Sequence, residues 1–81
     1  MKTTAYFDTV RERPDRKMIT DEWVQRAVRN PIREAIPSDP RIQRWTRVPE
    51  MENRVLRAIL LPDGETVHNA FFDRTFREEG R

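Results

Sequence analysis

The stretch from Arg54 to Phe72, RVLRAILLPDGETVHNAFF, constrains this chain more than any other. Two apolar runs meet at Asp63-Gly64, a dipeptide suited to a β-hairpin because glycine takes positive φ without a Cβ clash. The stretch also holds the longest apolar segment and the only histidine, His68. Pairing symmetrically about Asp63-Gly64 sets Leu60 opposite Val67, Ala58 opposite Asn69 and Leu56 opposite Phe71. The intervening positions set Ile59 opposite His68 and Arg57 opposite Ala70. Strand side chains alternate, so Leu56, Ala58, Leu60, Val67 and Phe71 share one face, which predicts core. The other face carries Arg57 and His68 as diagonal neighbours among Val55, Ile59, Leu61, Ala70 and Phe72, within reach of one another's side chains. On this reading a functional site lies there.

What surrounds the hairpin is thin. A chain of 81 residues is a prior for one domain, 1–81, near the small end of what folds unaided. With 36% hydrophobic and 37% charged residues, it supports one helix packed on one sheet and little more. A partner chain or a second copy is one source of the missing burial. There is no cysteine, so neither disulfides nor thiolate metal sites staple the fold. No apolar run approaches the roughly 18 residues that span a bilayer, and no export signal is apparent. The expectation is a cytoplasmic protein with no membrane partner.

The basic residues point to an anionic ligand. Of 16, only Lys2 and Lys17 are lysine; the other 14 are arginine, whose planar fork of donors matches phosphate and carboxylate. Arginine-rich coding from GC-rich codons explains such a bias equally well. Their distribution says more: Arg41, Arg44 and Arg47 occupy a stretch without an acid, and Arg54 and Arg57 follow. A basic sheet surface with acidic surroundings is the expected result.

Taken in order, residues 1–18 form a leading segment that opens with a predicted short strand, Thr3 to Phe7. Pro14 then rules out one continuous helix, and Arg11, Arg13 and Arg16 interleave with Glu12 and Asp15 as a solvated face. The clearest helix is Thr20 to Asn30. Thr20 suits the N-cap, Asp21 and Glu22 sit in the first turn where the dipole favours acids, and Ile19 and Val24 occupy hydrophobic-staple positions. Trp23, Val24, Ala27 and Val28 form the buried stripe, and Asn30-Pro31 stops the helix. The antiparallel sheet is predicted over 32–72: Ile32–Ile36, a turn at Pro37–Pro40, Arg41–Val48, then the hairpin. The loop at 49–53 leaves the register of 41–48 open, and with it whether Arg44 or Arg47 shares the Arg57–His68 face. Trp45 reads as core, Phe76 as tucked against the sheet edge, and 77–81 as a frayed tail. The class is α+β in two layers, one main helix on an antiparallel sheet of about four strands.

Missing residues exclude much chemistry. Gly64 and Gly80 are the only glycines, so no glycine-rich phosphate loop exists. One histidine does not build a usual zinc site, and Ser38 lacks a neighbouring base. What is left is phosphate chemistry without a metal or other cofactor. Cleaving RNA through its own 2′-hydroxyl needs a base, an acid for the leaving 5′-oxygen, and cations at the phosphorus oxygens. His68 is the one residue type here whose ordinary pKa suits that work. Arg57 beside it would grip the phosphate, with Arg74, Arg44 or Arg47 completing the clamp.

A resemblance supports this reading. Arg13-x-x-Arg16-x-Met18-Ile19-Thr20, followed by Glu22, Val24, Val28 and Asn30-Pro31, resembles a family of small bacterial proteins of uncharacterised domain type. The strand segments WTRV, LRAILLPDGETV and HNAFFDRTF are similar to the sheet end of those proteins, which themselves resemble the BrnT- and RelE-like toxins of toxin–antitoxin pairs. The likeness spans roughly residues 9–76. It implies helices on a four-stranded antiparallel sheet and metal-independent RNA cleavage restrained by an antitoxin. It also implies catalytic roles for Arg57, His68 and Arg74; Arg44, Arg47 and Arg54, from the basic stretch, are expected to bind RNA. Many such toxins use Arg, Lys and Tyr; here the only tyrosine, Tyr6, lies far along the chain from the hairpin. Two other classes fit the same residues: an RNA- or acidic-protein-binding module without catalysis, and an interaction domain completed by a partner or a homodimer.

Overall fold

The computed structural model describes residues 1–77 and is α+β: α1 Ala5–Val10, α2 Asp21–Arg29, β1 Arg33–Ala35, β2 Ile42–Val48, a 3-10 turn Pro49–Met51, β3 Arg54–Leu60 and β4 Val67–Phe72. The strands form one antiparallel sheet in the order β1-β2-β3-β4. Of the tail expected to fray, residues 78–81 lie outside the described residues.

α2 forms as its sequence predicts. Thr20 Oγ1 accepts the Trp23 N–H at 3.1 Å, Asp21 and Glu22 occupy the first turn, and Arg26 and Arg29 the last. Opposite charges thus complement both ends of the helix dipole. Val24 and Ala27 are fully buried, and Ile19 joins Val24 in the core.

The leading segment differs from its prediction. Only Thr3 bridges to β4, in parallel with Val67, and the chain then turns into α1. Thr4 is the reason: its hydroxyl accepts the Phe7 N–H at 3.1 Å and caps the helix. The cap sets Phe7 and Val10 three residues apart on one helical face, and both are 2% exposed. Alternation over five residues does not distinguish a short strand from one helical turn whose apolar positions are i and i+3.

Both helices cover the same face of the sheet. Phe7, Ile19 and Val24 pack there with Val48, Leu56, Leu60, Val67 and Ala70. The hairpin closes over a four-residue loop. Leu61 N–H donates to the Thr66 carbonyl at 2.9 Å, and Gly64 takes φ +72°. Asp63 braces the loop, accepting from the Glu65 and Thr66 N–H groups and from the Thr66 hydroxyl at 2.6 Å. These bonds, the Thr66 hydroxyl foremost, hold its carboxyl down at about 2. No helix among the described residues is long and apolar enough to cross a membrane.

Candidate functional site

The hairpin register departs from symmetric pairing after its first pair. Leu60 faces Val67 as predicted, but a bulge follows: Ile59 pairs with Asn69, Ala58 with Ala70, Arg57 with Phe71 and Leu56 with Phe72. His68 is the extra residue. The shift corrects the expected faces, since beyond the bulge every β4 side chain changes sides. Ala70 is buried under the helices and Phe72 packs against that core, whereas Phe71 stands on the open face beside Arg57. Arg57 and His68 are therefore not diagonal partners on one regular face.

His68 instead turns toward the leading segment. Its Nδ1 is hydrogen-bonded to Thr4 Oγ1 at 3.1 Å, and its ring stacks on Tyr6 with centroids 4.9 Å apart and planes 21° from parallel. Nε2 has no protein partner, and no side-chain nitrogen or oxygen among the described residues is buried without one, so Nε2 reaches solvent. Tyr6 is half exposed. Thus the tyrosine that the sequence sets far from the hairpin meets the only histidine. The cause is the backbone pairing of residues 2–4 with Val67: Val67 N–H donates to the Lys2 carbonyl at 2.8 Å and Thr4 N–H to the Val67 carbonyl at 3.0 Å.

Arg57 is occupied. Its Nε and Nη2 donate to Asp73 Oδ2 at 3.1 and 2.7 Å, and its guanidinium lies between the Trp45 and Phe71 rings, 5.4 and 5.2 Å from their centroids. Trp45 Nε1 donates to the same oxygen at 2.9 Å; Thr75 supplies its N–H and hydroxyl to Oδ1. Burial pushes the Asp73 carboxyl up, but the bonds from Trp45, Thr75 and Arg57 outweigh it and hold the group well below the usual carboxylate range. Phe76 closes the cluster over Trp45, with ring centroids 5.9 Å apart, and Arg33 stacks on Phe76. Trp45 is buried, as expected, yet on the sheet face opposite the helices.

The register of β2 separates the two arginines left open above. Trp45 lies opposite Arg57, so Arg47 falls on that face and Arg44 on the helix side. Arg44 there donates to Glu34 at 2.6 Å and to the Val28 carbonyl at 2.8 Å, tying α2 to the sheet. Arg47 donates to the Asn53 carbonyl at 3.0 Å.

Arg54 and Arg74 do come together, with a third arginine. A hollow of about 350 Å³ at the C-terminal end of β4 is lined by Asp15, Arg16, Met18, Arg54, Phe71, Phe72 and Arg74. A second, of about 230 Å³, shares Arg54, Phe72 and Arg74. Arg54 stacks over Phe72 at 4.7 Å and Arg16 over Phe71 at 5.4 Å. Arg16 also donates to Asn69 Oδ1 at 2.8 Å, beside His68 on the strand. Its sequence context of alternating charges reads as a solvated face, but only 17% of its side chain is exposed. Met18 followed by buried Ile19 is the one local hint that this segment lies on the sheet.

Among the described residues, no three His, Cys, Asp or Glu side chains gather as a metal site would require. Comparisons of the chain with protein-family models, with curated proteins and with solved structures return no match.

Proposed function

We propose that this chain is a toxin-like, metal-independent endoribonuclease that engages single-stranded RNA along the outer edge of β4 and is restrained by an antitoxin covering that edge. The observation that carries the reading is the stacked His68–Tyr6 pair, with Nε2 open to solvent, on the same strand edge as the arginine-lined hollow. His68 Nε2 takes the proton of the 2′-hydroxyl, whose oxygen attacks the adjacent phosphorus. The 5′-oxygen leaves with a proton from a second group, a role assigned to the hydroxyl of Tyr6, whose ring stacks on His68. The products are a 2′,3′-cyclic phosphate and a free 5′-hydroxyl. Arg16, bonded to Asn69, the residue after His68 in the strand, takes the role foreseen for Arg57 in gripping the phosphate, through the Nη2 donors that Asp15, Asn69 and Ala70 leave over. Arg74 and Arg54 hold the strand further on. Arg57 joins them only by releasing Asp73.

The test is cleavage of unstructured RNA by the purified protein in excess chelator, with end-group analysis for cyclic phosphate. His68→Ala is expected to lower the rate about 100-fold or more, the usual range for loss of a general base. Full activity in that variant removes His68 from the reaction. A second reading, RNA binding without cleavage, draws on the engagement of Arg57 by Asp73, which leaves few free groups for chemistry. It predicts tight, steeply salt-dependent binding and intact RNA.

A further inference from the structure

We infer that the two hollows at the C-terminal end of β4 form a separate backbone-reading subsite, so that the chain takes longer, stacked single strands of RNA and not short fragments. The inference rests on the edge of β4 as the RNA track, yet it concerns binding and holds whether or not the strand is cut.

Three observations converge on it. First, the charge there is free. Among the described residues Arg54 and Arg74 enter no ion pair, unlike Arg26, Arg44 and Arg57. Second, the acids nearby leave Arg54 and Arg74 unneutralised. Asp15 is 71% exposed on its side chain and leans on Arg16 at 3.4 Å. Asp73, which lines the second hollow, is only 5% exposed and spends its oxygens on Trp45, Arg57 and Thr75. Third, the guanidiniums are held in place. Arg54 lies over Phe72, so its plane is set before any ligand arrives; Arg16, over Phe71 and bonded to Asp15, Asn69 and Ala70, marks the rim of the first hollow nearer His68. A guanidinium with one face on a ring keeps its edge donors for phosphate and its other face for an unpaired base. Single-stranded RNA supplies both, whereas in a duplex the base faces are already stacked on one another.

The length follows from strand geometry. His68 and Phe72 are four residues apart on β4, about 13 Å at roughly 3.3 Å per residue. At about 3.4 Å of rise per phosphate in a stacked strand that span is about four steps, so an oligonucleotide needs about five nucleotides to reach from His68 to the hollows. A dinucleotide or trinucleotide seated at His68 falls short.

The experiment uses fully 2′-O-methylated oligonucleotides, which lack the attacking hydroxyl, of about three and about twelve nucleotides. Binding is followed by fluorescence anisotropy across a salt series. The expected result is tight binding of the longer strand, weakened about three- to tenfold by Arg54→Ala or Arg74→Ala and not by Arg29→Ala on α2. Each of the two effective variants also lowers the slope of log K against log salt by about 0.7. Binding of the short strand is unchanged by either. Both replaced side chains are exposed, and circular dichroism verifies that the variants fold. Equal affinity for long and short strands overturns the inference, as does insensitivity to both substitutions. A duplex bound as tightly as the single strand also overturns it, as does a variant-sensitive acidic peptide that binds where RNA does not. Variant-sensitive binding of the long strand, with unmodified RNA left intact, sinks the nuclease reading and leaves the subsite standing.

Discussion

Asp73 carries more of this molecule than its place in a polar turn suggests. Its carboxylate gathers Trp45, Arg57 and Thr75, and removing it leaves the Arg57 charge and the Trp45 N–H without their partner. Asp73→Ala is expected to cost about 2–4 kcal/mol, less than a fully buried pair because Arg57 remains a quarter exposed. Thermal denaturation reads that as a fall of roughly 10 °C or more for a domain of this size. The same group makes stability depend on acid. Its folded pKa lies below its unfolded value near 3.9, so its contribution is complete above about pH 4 and is lost as pH falls toward the folded value. Denaturant titrations at about pH 7 and pH 3 are expected to show that loss in the native chain and a smaller one in Asp73→Ala. In sequence, DRT looks like an ordinary turn; only the fold brings Trp45 and Arg57 to it.

At the level of the strand, the bulge at His68 decides which side chains meet. It lets Val67 and Ala70, three apart, both enter the core, and it turns Phe71 outward beneath Arg57 and Arg16. Deleting His68 removes the extra residue while leaving Asn69–Phe72 opposite their present partners. The deletion variant is therefore expected to stay folded, losing about 1–2 kcal/mol through the Thr4 contact and the Tyr6 stack. Deleting Ala70 shifts the rest of the strand by one residue, which exchanges core and open faces, and is expected to unfold the chain. Chemical denaturation of the two variants side by side distinguishes these outcomes. The hairpin was readable because Asp63-Gly64 and two apolar runs are local signals. The bulge was not, because a single inserted residue leaves no mark in alternation until the packed face selects which residues turn inward.

For the whole molecule, closure of the leading segment is the event that builds the candidate site. Phe7 enters the core, residues 2–4 pair with Val67, and Arg16 reaches Asn69; Tyr6 and Arg16 thereby arrive at the edge of β4 from opposite ends of the same segment. Phe7→Ala is expected to cost about 3–4 kcal/mol, a large share of the roughly 4–12 kcal/mol available to a chain of this length. Limited proteolysis of that variant is expected to cut first within residues 1–18, ahead of any cut in the sheet. Short-range rules, read along the chain alone, specify several elements. These are the capped helix from Thr20, the Asp63-Gly64 hairpin, the turn at Pro37–Pro40, the α+β class, and an arginine surplus suited to an anion. Tertiary structure alone decided which charges are free. Arg57, Arg44 and Arg16 look alike in the sequence, yet the first is locked to Asp73 and the second to Glu34 and Val28. The third is laid over Phe71. Those partners lie 10 to 16 residues away for Arg57 and Arg44, and further still for Arg16. No local pattern encodes such pairings, because they follow from how strands register and which face the core claims.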